Sequence, residues 1–168
     1  NESGEKIGKL NKPETHIEIK WQSLFSTPLI HPAVMGRRNI FTENPYDETM
    51  HNSEDYELWS RLLFEKGVEF SNLDEPLLKY RVYPQSFTGS LSKERKAASV
   101  RNVLNNIGHY IPLSENNRKL LEEKPGTLKE FVAVFRLYKR AAKEFRRREN
   151  FKPNLNRYLL SLIRGFFF

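Results

Sequence analysis

The chain has 168 residues, 38% of them hydrophobic and 29% charged, enough for one folded domain, and no apolar run is long enough to cross a bilayer as a helix. It holds no cysteine, which excludes a disulfide framework, a thiol nucleophile and a Cys-ligated zinc site and fits a cytoplasmic protein. The net charge of +7 is unevenly placed: from Thr127 onward eleven Lys and Arg stand against three Glu, so the basic character belongs to the C-terminal segment.

Residues 1–14 are polar, carry Gly4, Gly8 and Pro13, and read as a loop or connector; a start at Asn1 rather than Met points to a fragment or a processed product. Residues 15–20 alternate apolar and polar, which predicts a short strand, and the apolar segment 29–37 after Pro28 predicts a buried one. Asn44-Pro45-Tyr46-Asp47-Glu48 is a turn. Next comes a helix: Asn52 or Ser53 can cap it, Gly67 can end it, and Tyr56, Leu58, Trp59, Leu62 and Leu63 recur at helical spacing.

After Gly67, residues 68–73 predict a strand, Asp74-Glu75-Pro76 a turn and 77–83 a second strand, with 84–89 breaking the pattern. Residues 92–110 predict a helix, and Pro112-Leu113-Ser114 opens a short one that ends before Pro125-Gly126. In the tail, Leu128, Phe131, Phe135, Tyr138, Ala142 and Phe145 follow steps of three and four, one apolar face of a helix. A second segment after Pro153 places Leu155, Leu159, Leu162 and Phe166 among Arg157 and Arg164 and ends in three phenylalanines. These need cover from the core, a partner chain or a lipid headgroup layer.

Chemistry concentrates at the start of the central helix. Glu54 and Asp55 lie in its first turn, where unpaired N–H groups and the positive end of the helix dipole favour the ionised carboxylate, a form able to accept a proton. Acidic residues are common in first turns, so a plain capping role is the competing explanation. His16, His31, His51 and His109 show no metal-ligand spacing, so no metal site is expected in these residues, and Arg37 and Arg38 are solvated by default.

The order Glu54-Asp55-Tyr56-x-Leu58-Trp59-x-Arg61-Leu62, then Gly67, then Asn72-Leu73-x-Glu75-Pro76-Leu77-Leu78-x-Tyr80-Arg81 resembles the acceptor-side half of the inverting family-2 glycosyltransferases. His31-Pro32-Ala33-Val34-Met35-x-Arg37-Arg38 and Tyr46-Asp47-Glu48 keep the same order, and together the matches span about a third of the chain. The resemblance implies an α/β fold: the C-terminal half of a GT-A domain over residues 1–112, with a basic, amphipathic helical extension over 113–168.

It also implies an enzyme that passes a sugar from a nucleotide-diphosphate donor to a hydroxyl of a glycan or lipid-linked acceptor, with Asp55 as the base. Glu54, Arg81, His31 and Trp59 would then face substrate. Arg81 has two roles open, pairing with the Glu-Asp carboxylates or reaching the diphosphate. Where the family often carries a histidine two residues after this arginine, the chain has Tyr83; Ser86 matches a small hydroxyl residue that closes the loop.

The family's donor-binding half carries an Asp-x-Asp motif for Mg²⁺ or Mn²⁺, and none occurs here. The donor-binding half and its metal are therefore expected outside these residues, and the fragment alone is expected to be inactive. The alternative class is a non-catalytic interaction module whose basic tail, residues 127–168, contacts a membrane surface, at the inner face of the cytoplasmic membrane, or a partner protein, a second copy included. No nucleic-acid recognition motif is visible.

Overall fold

A computed structural model describes residues 3–81, 93–123 and 125–154. Tyr83, Ser86, the break at 84–89 and the apolar segment from Leu155 to the terminal phenylalanines lie outside the described residues. Among the described residues six α-helices follow in order: α1 His16–Gln22, α2 Arg38–Glu43, α3 Glu54–Phe64, α4 Lys93–Gly108, α5 Glu115–Glu122 and α6 Leu128–Glu149. Among the described residues there is no strand.

The segment 15–20 is helical, not extended. Thr15 donates from its hydroxyl and its backbone N–H to the Glu18 carboxylate, at 2.7 and 3.4 Å, which closes the first turn. Six residues of alternation do not separate the two periods, and the helix makes use of both sides. Trp21 and Leu24 enter one buried cluster while Ile19 enters another.

Residues 29–37 also differ from expectation. Leu29 is buried, but His31–Ala33 forms a single 3₁₀ turn, with Ala33 N–H bonded to the Ile30 carbonyl, and Met35 is 96% exposed. Pro32 has no N–H to give a ladder and its fixed φ suits the first turn of a helix, so the chain bends where a strand was expected.

The strands expected at 68–73 and 77–83 are, as far as Arg81, irregular segments that pair with no neighbouring strand. Residues 68–74 are instead held against residues 9–16. Phe70 N–H donates to His16 Nδ1 at 3.3 Å, Asn72 N–H to the Glu14 carbonyl at 3.0 Å, and Lys9 pairs with Asp74. Leu73, 71% exposed, Leu77, Leu78 and Tyr80 are left uncovered.

α3 and α6 form where the periodicity places them, α4 and α5 where the composition and the opening Pro112-Leu113-Ser114 do, and α2 forms where no helix was expected. Ser114 Oγ accepts from Asn117 N–H at the start of α5, and Thr127 and Glu130 form a reciprocal capping box at the start of α6. Gly67, at φ +64, lets α3 end in a reversal in which Val68 N–H donates to the Leu62 carbonyl.

The buried face of α6 is rotated from the expected stripe. Val134, Leu137, Tyr138, Ala141, Ala142 and Phe145 are buried, whereas Leu128 is 68% exposed and Phe131 and Phe135 lie at the margin. Phe145 packs edge-on against Trp21 and beside Tyr110, so α1, α4 and α6 share one core together with Tyr56 of α3.

α3 is fastened to that core by buried polar groups. Asn102 Nδ2 donates to Ser53 Oγ at 2.9 Å, and Asn106 Nδ2 to Ser60 Oγ at 2.9 Å and to the Ser23 carbonyl at 2.6 Å. The Tyr56 hydroxyl donates to the same Ser23 carbonyl. Because Ser53 spends its hydroxyl on Asn102, it makes no side-chain cap to its own helix.

Candidate functional site

The amino end of α3 carries Glu54, Asp55 and Glu57 in its first turn. With Ser53 turned away, Asp55 takes over part of the cap: its Oδ1 accepts the N–H of Tyr56 at 2.7 Å. Asp55 is partly buried, Glu54 is exposed, and among the described residues neither forms an ion pair. A carboxylate held by one oxygen keeps the other for a second partner.

Facing this turn is Tyr46, from the loop after α2. Partial burial, followed by the nearby charges of Asp55 and Glu54, raises its phenol above the ordinary value, so the hydroxyl stays protonated through the neutral range. That hydroxyl lies 2.8 Å from Nε2 of His31, an exposed side chain. The His31 ring meets Trp59 edge to face at 6.1 Å.

Trp59 is 1% exposed and has Phe41 and Phe70 at its edges. It therefore forms the floor under His31 and reaches no solvent; its Nε1 has no hydrogen-bond partner among the described residues.

The loop is held in place from α3. Arg61 donates to both oxygens of Glu57, at 2.8 and 3.1 Å, and to the Pro45 carbonyl at 2.7 Å, which locks the residue before Tyr46 onto the helix. Thr49 donates from its hydroxyl and its N–H to Asp47, keeping that carboxyl below its ordinary value, with Arg61 and Arg101 adding to the effect. Sequence reasoning assigned no role to Arg61 or Tyr46. The readable signal was the Glu57–Arg61 pair at i,i+4 on a helix already recognised.

His31 thus contacts both Tyr46 and Trp59, and the charges of Glu54 and Asp55 reach Tyr46. Arg81 is exposed, and no hydrogen bond or ion pair joins it to Glu54 or Asp55, so the pairing open to it is not formed in this structure. Among the described residues no three His, Asp or Glu side chains converge where a metal ion could be held.

No family model and no solved structure matches the chain. Curated proteins do. Over 87 residues it is 36% identical to the O-antigen biosynthesis glycosyltransferase WbnJ of Escherichia coli, covering 51% of the chain and 34% of that protein. Over 73 residues it is 34% identical to an uncharacterized glycosyltransferase of Methanocaldococcus jannaschii, covering 42% of the chain and 25% of that protein. The chain is similar to part of a glycosyltransferase. A longer and weaker likeness, 25% over 124 residues, links it to the bifunctional glycosyltransferase pgtA of Dictyostelium discoideum, covering 71% of the chain and 16% of that protein. The chain thus spans about a third or less of each of these relatives.

Proposed function

We propose that this chain is the acceptor-side part of an inverting glycosyltransferase of the GT-A type, which passes a sugar from a nucleoside-diphosphate donor to a hydroxyl of a glycan or lipid-linked acceptor. The observation that carries the proposal is Asp55. It sits at the positive end of α3 with one oxygen fixed by Tyr56 N–H, beside the Tyr46–His31 pair.

The free oxygen of Asp55 takes the acceptor hydroxyl's proton as that oxygen attacks the anomeric carbon. The bond from that carbon to the diphosphate breaks, and the configuration inverts. Tyr46 and His31 offer a hydroxyl and a ring nitrogen to orient other hydroxyls of the acceptor.

Charge on the departing diphosphate must be balanced by cations. Arg81, exposed and unpaired with the acidic turn, is the group in this segment assigned to it. Mg²⁺ or Mn²⁺ would do the same work from the donor-binding part. The described residues do not make a metal site, and no step at Asp55 passes through one. On this assignment Leu73, Leu77, Leu78 and Tyr80 are covered by the donor-binding part.

The test is Asp55→Asn in the full-length protein, assayed with labelled nucleotide sugars. Transfer is expected to fall by about a thousandfold while donor binding changes by less than about twofold. Turnover near that of the unaltered protein would remove Asp55 from the role of base.

A further inference from the structure

The apolar face of α6 is used up in the core, which leaves its opposite face for solvent. Positions 129, 136, 140, 143 and 147 fall within about 60° of one another on that outer side, roughly opposite the buried Tyr138 and Phe145. All five are Lys or Arg and all are exposed.

Glu144, beside this row, is taken by Arg147 at 2.9 Å and approached by Arg148 at 3.9 Å. Lys129, Arg136, Arg140 and Lys143 have no acidic partner among the described residues. Residues 155–168 add two arginines and no Asp or Glu. Where α6 meets the turn after α4, Arg140, Lys143 and Arg148 line a recess together with Tyr110, Ile111, Pro112 and the carboxylate of Glu144 already engaged by Arg147, with Arg148 pinned by the carbonyls of His109 and Tyr110.

We infer that this row, Lys129 to Arg147, is a docking surface for an anionic phospholipid bilayer. A straight row about 27 Å long on a rigid, core-anchored helix meets a flat anionic plane along its whole length. It carries no aromatic side chain on which a base could stack, which argues against a single-stranded nucleic acid. The sequence that follows, residues 155–168, is rich in Leu and Phe with arginines interspersed, a composition suited to a headgroup layer. Since the apolar face of α6 is occupied, the attraction is one of charge rather than insertion, and it must weaken as salt rises. The inference does not rest on glycosyl transfer.

The experiment is co-sedimentation of the full-length protein with vesicles of equal parts phosphatidylglycerol and phosphatidylcholine, and with phosphatidylcholine alone. Binding is expected only to the anionic vesicles and is expected to be lost near 0.5 M NaCl, roughly. Arg136→Gln, Arg140→Gln and Lys143→Gln together should weaken it about a hundredfold with the melting curve unchanged. Lys66→Gln, Arg118→Gln and Lys119→Gln, which remove equal charge elsewhere, should weaken it less than about threefold. Should the triple variant unfold, Arg140→Gln and Lys143→Gln are read singly, each expected to cost about fivefold.

Four results would each overturn the inference. They are full binding by the row variants, an equal loss in the control variant, loss only on deleting residues 155–168, and tighter binding of a single-stranded oligonucleotide than of vesicles at the same salt.

Discussion

Nε2 of His31 and the hydroxyl of Tyr46 stand 2.8 Å apart, bringing a 3₁₀ turn and a loop into hydrogen-bond contact where the charges of the first turn of α3 reach Tyr46. Tyr46 is 44% exposed and adds little to the core, so its hydroxyl can be removed with small structural cost. Tyr46→Phe is expected to melt within about 2 °C of the unaltered protein while transfer falls about tenfold, mainly through acceptor KM. An unchanged acceptor KM would show that the hydroxyl does not touch substrate.

Arg61 holds the Tyr46 loop without reaching the reacting atoms. Arg61→Ala releases both Glu57 and the Pro45 carbonyl and is expected to cost about 1 kcal/mol in urea unfolding, since the pair is part-buried and its loss frees a carbonyl at the exposed rim. The loss of transfer should exceed that of Tyr46→Phe. Arg61→Lys should recover stability better than transfer, since an ammonium cannot fork onto both partners.

Asn106 is buried and gives both amide hydrogens to fixed acceptors, Ser60 Oγ and the Ser23 carbonyl. Asn106→Ala removes the donor to Ser60 Oγ, leaves the Ser23 carbonyl with the Tyr56 hydroxyl alone, and opens space. The expected loss is about 3 kcal/mol by urea unfolding, against about 0.5 kcal/mol for Asn105→Ala on the exposed side of the same helix.

His16 is held below its ordinary value of 6.5, first by burial and then by the charge of Lys20, with Glu69 and Glu149 opposing. The unfolded chain therefore binds this proton more tightly than the folded one. The contribution is complete above the unfolded value and declines as pH falls below about 6.5. Protonation of Nδ1 also removes the acceptor for Phe70 N–H. The melting temperature is expected to fall between about pH 7 and pH 5, and His16→Gln should flatten that slope. An equal slope in the variant would assign the effect to another group.

α3 and α6 were readable from their apolar periods, α5 from the residues that open and close it and α4 from its composition, while α2 carried no signal that was read. The segments 15–20, 29–37 and 68–73 were not readable. The alternation at 15–20 became a helix once Thr15 and Glu18 closed its first turn, and Pro32 turned an apolar run into a bend. Residues 68–73 have strand composition, but pairing depends on a neighbour that composition does not supply. At the site, Glu54 and Asp55 could be located because a helix start fixes them. The approach of His31 to Tyr46 joins residues fifteen positions apart in loops, and no local pattern encodes it.

The carbonyl oxygen of Ser23 receives the hydroxyl of Tyr56 and the amide of Asn106, so one atom rivets the end of α1 to two other helices. A carboxylate mounted on α3 cannot then be re-aimed by sliding its helix, because any such slip would tear two buried bonds at once. The rim is held differently: residues 44–48 are tied by the Arg61 guanidinium, the Asn44 amide and the Tyr46–His31 contact, all exposed or half-buried, and can yield without moving Asp55.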